Sequence, residues 1–146
     1  MKLDLEDFKE TVRKEEVMYL ATTKNNDVSI RTVSPLLIGD NTVCFYTSHN
    51  SEKYDQLKAN PKAAFCVGMY GRYQAQGTVK FLGSVFNEEN ETIRELYKAK
   101  YHGAFEIAAP GEDMHTNEFI IIEIKLIKGW IFEGEMPVGL AELKFD

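Results

Sequence analysis

Arg31, Ser51 and Lys53 are the residues of this chain whose types and spacing most clearly suggest chemistry. Ser51 stands just before residues 52 to 59, a run that predicts a short helix stopped at Asn60-Pro61, because the residue before proline is pushed out of the α region. A serine at that point can cap the helix, so its hydroxyl and the unpaired N–H groups of the first turn gather at the positive end of the helix dipole. Lys53 falls in the same first turn, an unfavourable place for a cation unless an anion compensates it. Arg31 projects from a predicted strand and offers a forked donor that stays charged. Two cations and a helix N-terminus suit a phosphate monoester. The plainer reading has Ser51 as a cap only, Lys53 solvated and Arg31 in a surface ion pair, and residue types alone leave both open.

Other reactive residue types form no recognisable constellation. Cys44 and Cys66 sit inside apolar runs, Val43-Cys44-Phe45 and Phe65-Cys66-Val67, where a thiol is expected to act as a small buried hydrophobe. There is no CxxC, and His49, His102 and His115 lack zinc-ligand spacing, so no metal site is expected. No nucleophile elbow, P-loop or acid/base dyad stands out, and Gly68-Met-Tyr-Gly71 with Gly77 is too sparse for a dinucleotide loop.

Several elements must position the anion site. Leu5, Phe8 and Val12, with Asp4 as a cap, predict a helix over residues 4 to 16. Strands follow at 17 to 23, 28 to 38 and 42 to 47, separated by Asn25-Asn26-Asp27 and Gly39-Asp40-Asn41. After the helix at 52 to 59 come strands at 63 to 69 and 73 to 86, the second with bulges or bends at Gly77 and Gly83. A helix over 88 to 100 and a loop or broken helix over 102 to 115 precede a long strand from 117 to 128, which Gly129 is expected to turn into residues 130 to 133. The tail from Glu135 to Asp146 is mildly apolar and suits an extra edge strand or a subunit contact. About six antiparallel strands with short flanking helices point to a closed or partly closed barrel: mainly β, or α+β by content.

The chain has 146 residues, 44% of them apolar, and its 17 Lys and Arg against 23 Asp and Glu give a net charge of −6. That length suits one domain with a sufficient core, read here as residues 1–146 without linker or repeat. An acidic chain without a basic block disfavours nucleic acid as a partner. No apolar run approaches the roughly 18 residues of a membrane span and no secretory leader is evident, so no membrane association and a cytoplasmic location are expected.

The ordered set Leu20-Ala-Thr-Thr23, Arg31-Thr-Val-Ser-Pro35, Phe45-Tyr-Thr-Ser48, Ser51, Lys53, Leu57 and Asn60-Pro61 resembles the FMN-binding split barrels related to pyridoxamine 5'-phosphate oxidase, and more narrowly their small general stress proteins. The resemblance implies an antiparallel split barrel that binds FMN. Arg31 and Lys53 would hold the phosphate with the hydroxyls of Thr47 and Ser51, while Thr32, Val33, Ser34 and Tyr46 would lie along the flavin ring. It also implies a homodimer with the cofactor at the subunit interface, where a second subunit would contribute residues near Gln76 and around Trp130. Residue by residue, Gln76 reads equally as a solvent-facing strand position and Trp130 as a core aromatic. The implied activity is an FMN-dependent oxidoreductase of unknown substrate with NAD(P)H as a possible donor. The alternatives are a flavin-binding or sensing module without turnover, or a haem or deazaflavin binder, with His49, His102 and His115 as candidate axial ligands for haem. Residues 133 to 139, Glu-Gly-Glu-Met-Pro-Val-Gly, lack the Arg and His that vitamin B6 oxidases carry near their C-terminus, which argues against that substrate.

Overall fold

Period-two alternation of apolar residues dominates the chain, and the computed structural model, which describes residues 2–105 and 114–146, converts it into an antiparallel sheet. The order is α1 (Leu5–Lys14), β1 (Met18–Lys24), β2 (Asp27–Val33), β3 (Leu36–Gly39), β4 (Thr42–Ser48), α2 (Glu52–Ala59), β5 (Lys62–Val67), β6 (Tyr73–Ser84), α3 (Glu91–Lys100), β7 (Asn117–Glu133) and β8 (Met136–Lys144). Hydrogen bonding runs β2-β1-β5-β6-β7-β4-β3, with β8 added along β7. β2 and β3 are consecutive in sequence yet end the path on opposite sides, and no described ladder joins them. The sheet therefore curls into a barrel that stays split along this seam.

Two departures from the expected strand count have local causes. The alternating run at 28 to 38 breaks at Ser34-Pro35 into β2 and β3, since proline cannot donate to a ladder. The C-terminal tail forms β8, as an edge strand on β7, so the described sheet has eight strands rather than six.

Gly129 does not turn the chain. β7 runs straight through it to Glu133, and the turn falls at Gly134, whose φ is +61°. Gly129 is instead a close approach: a Cβ there would lie 2.7 Å from the ring of Tyr73. The expected bulges on β6 are present, with register shifts at Gln76/Gly77 and Phe81/Gly83. The first makes the alternation on β7 slip, so that Ile120, Ile122 and Ile124 are buried but Ile127 and Gly129 continue the inward face. The main core collects Phe8 and Val12 of α1 with Leu20, Phe45, Phe65 and the β7 isoleucines; a second cluster joins Leu36, Cys44, Val85, Tyr97 and Phe119.

The expected loop over 102 to 115 lies partly outside the described residues; within them, His115 belongs to a short turn of 3-10 helix, Met114–Thr116. No helix among the described residues is long and apolar enough to cross a membrane.

Candidate functional site

α2 begins as its residues dictate. Ser51 has extended backbone angles and its Oγ accepts from the Tyr54 N–H at 3.3 Å, while Asn60 ends the helix before Pro61. The Ser51 hydroxyl also shares a 2.8 Å hydrogen bond with Thr47 Oγ1 at the end of β4. Lys53 is half-buried in the first turn. Thr47, Ser51 and Lys53 are therefore brought to one end of α2.

Arg31 enters from β2. Its Nη1 donates to Thr22 Oγ1 at 2.6 Å and its Nη2 to Gln56 Oε1 at 2.8 Å. The Thr22 hydroxyl in turn donates to Gln56 Oε1 at 2.5 Å, and Gln56 Nε2 donates to Ser29 Oγ and Glu52 Oε1. A buried amide one turn along α2 from Lys53 thus orients the guanidinium with neutral acceptors. None of the ion pairs among the described residues involves Arg31. Burial pulls its pKa below the ordinary arginine value, and the field of Glu52 opposes that only in part. A partly buried cation held by neutral groups fits an anionic ligand better than it fits a structural ion pair.

The remaining predicted residues divide between three places. Thr32 and Ser34 are exposed beside the seam, while Val33 points into the core. The Tyr46 ring enters the second cluster, 5.4 Å from Tyr97 and 4.8 Å from Phe105 between centroids. Gln76 and Trp130 stand on the outer face of the sheet, Gln76 exposed and Trp130 37% exposed, so Trp130 is not a core aromatic. Ile30, in register with Ala21 and through it Ala64 and Gln76, shares that outer face and points away from the side of β2 that carries Arg31. Tyr19, Val28, Ile30, Tyr70 and Leu140 are also exposed.

Cys44 is buried and its thiol is pushed well above the ordinary range by burial, whereas Cys66 is half-exposed on the outer face, contrary to the expected burial. His49 Nδ1 lies 3.3 Å from Glu118 Oε2, and the Tyr54 hydroxyl donates to Glu118 Oε1 at 3.1 Å. Among the described residues no cluster of three or more His, Cys, Asp or Glu is placed to hold a metal ion. Sequence pattern alone does not reveal Thr22 and Gln56 as site residues: Thr22 lies within the recognisable run 20 to 23, but nothing local marks Gln56.

An antiparallel sheet that curls yet stays open along one seam defines the split-barrel class of proteins. Residues 5–131 match the family model described as pyridoxamine 5'-phosphate oxidase, and the chain belongs to that family. No curated protein matches it. Among solved structures it is similar to a pyridoxamine 5'-phosphate oxidase-related, FMN-binding protein of Nostoc punctiforme, at 17% identity and TM-score 0.61 over 97% of this chain and 94% of that one. It is similar also to General Stress Protein 26 of Bacillus anthracis, at 13% identity and TM-score 0.63 over 84% and 90%. A heme-binding protein of Mycobacterium smegmatis shares the fold at 14% identity and TM-score 0.70, covering 99% of this chain but 59% of that one.

Proposed function

We propose that the chain is an FMN-binding flavoprotein with oxidoreductase activity, working as a homodimer in the cytosol. The observation that carries this reading is Arg31, partly buried, oriented by Thr22 and Gln56, and without a carboxylate partner among the described ion pairs. Arg31 and Lys53 would hold the phosphate, with the Thr47 and Ser51 hydroxyls and the first-turn N–H groups of α2 completing the cradle. Thr32, Val33, Ser34 and Tyr46 would line the ring, chiefly through backbone where the side chains of Val33 and Tyr46 are committed to packing. The outer face would meet a second copy, which would bring Gln76 and Trp130 towards the cofactor; the exposed apolar side chains on it, Tyr19, Ile30, Trp130 and Leu140, suit an interface. Bound FMN supplies hydride and electron transfer, so the chain's task is binding, orientation and exclusion of water. NAD(P)H is the proposed donor. Residues 133–139 carry neither Arg nor His, which supports an acceptor other than a vitamin B6 phosphate.

Absorption spectroscopy of natively purified protein tests the reading. Flavin bands, or a thermal shift when FMN is added, are expected. A stable, colourless protein indifferent to FMN would sink the proposal. Anaerobic addition of NADH or NADPH then separates turnover, in which the flavin bleaches, from binding alone.

A further inference from the structure

The seam between β2 and β3 is a short junction, Ser34-Pro35, with no ladder of its own, yet side chains hold both of its carbonyls. Three residues on one face of α3 and its C-terminal cap, Tyr97, Lys100 and Tyr101, reach it. The Tyr97 hydroxyl lies 2.9 Å from Ser34 O and shares its proton with Cys44 O at 2.8 Å. Lys100 Nζ donates to Pro35 O at 2.8 Å and to Val12 O, near the end of α1, at 2.9 Å. The Tyr101 hydroxyl donates to Pro35 O at 2.6 Å. Two consecutive carbonyls thus take three donors from one helix, which turns them inward and leaves the Ser34 side chain outward and exposed.

Apolar side chains would fasten α3 to the sheet without burying an amine. Half-burial of Lys100 is costly enough to pull its pKa down to about 8 against the nearby Glu15 and Glu16. Buried polar groups of this kind are best understood where they select one conformation among several of similar packing. Here the selected conformation belongs to the segment that presents Thr32 and Ser34 at the open lip.

The geometry points to α3 as the positioning element of the site: Tyr97, Lys100 and Tyr101 hold the Ser34-Pro35 junction in the shape that lines the flavin ring. This rests on the FMN reading above. The helix does not touch the cofactor; it acts through the junction.

Y101F and K100M remove donors to Pro35 O, and Y73F serves as control, since Tyr73 likewise donates a buried phenol to a helix, at Asp7 of α1, but away from the seam. Y101F keeps its ring and is expected to fold even if K100M does not. FMN affinity, the positions of the bound-flavin absorption bands and the melting temperature are measured for each. The expected result is that Y101F and K100M weaken FMN by roughly two- to tenfold, the span of one ordinary hydrogen bond, and move the flavin bands, while Y73F changes only the melting temperature. If Y101F and K100M melt earlier but bind FMN with the parent's affinity and bands, α3 is a strut and the inference is overturned. A parent that binds no FMN instead overturns the reading on which the inference stands.

Discussion

Arg31 Nη2 lies 2.8 Å from Gln56 Oε1, so a guanidinium on a strand at the seam is aimed by a buried amide of the helix whose N-terminus forms the other side of the site. The strand that carries Arg31 and the helix that Ser51 caps and that carries Lys53 are therefore tied together by a side-chain hydrogen bond.

Removing either cation tests the candidate anion site. Arg31→Ala and Lys53→Ala should each cost about 1.5–3 kcal/mol of FMN affinity, about ten- to more than a hundredfold, as expected for a charge-assisted contact. Quenching of flavin fluorescence on binding measures this. Parent-like affinity in both variants would place the phosphate elsewhere.

Gln56→Leu should act on stability and binding together. It leaves the Thr22 hydroxyl and Arg31 without their shared acceptor, at a cost of about 1–3 kcal/mol in unfolding free energy, and frees the guanidinium to rotate. Urea denaturation reads the first effect and FMN titration the second. A variant as stable as the parent would show that the amide orients nothing.

The outer face carries the dimer prediction. Ile30→Glu puts a charge where Ile30 is 68% exposed, so an isolated chain should tolerate it, whereas an interface should not. Sedimentation is expected to show a dimeric parent and a dissociated variant, with FMN affinity reduced in the variant and in Trp130→Ala. A monomeric parent that holds FMN would remove the second subunit from the site.

Lys100 predicts a pH signature of opposite sign to the buried phenols. Its folded pKa, about 8, lies below the ordinary 10.5, so between these values the unfolded chain holds more protons and the contribution of Lys100 to stability rises with pH. Burial instead raises the pKa of Tyr97, Tyr101 and Cys44, which costs stability once the unfolded phenols and thiol ionise. Denaturation at several pH values should show the stability difference, parent minus K100M, growing from pH 8 towards 10.5. A flat difference would mean that the amine is effectively solvated.

Gly77→Ala probes the bulge that shifts β7. A Cβ there would stand 2.1 Å from Glu123 O, a backbone atom with little room to yield. A loss of about 1–3 kcal/mol or more is expected, read as a lower melting temperature; a neutral substitution would show that the strands can part freely at that point.

The sequence by itself determined what depends on near neighbours. Ser51 at the start of α2 and Asn60-Pro61 at its end bound the helix at the observed residues, because capping and the proline restriction act within one turn. Alternation likewise marked most strands, and Gly77 and Gly83 announced the bulges. Contacts between distant residues were decided only by the tertiary structure. Arg31 finds Gln56 across 25 positions, and Thr22 finds it across 34, and nothing local to a glutamine on a short helix reports such a meeting. Gly129 carried the same ambiguity: glycine serves a turn or a close approach equally well, and the Tyr73 ring, brought over it by the pairing of β6 with β7, selects the second.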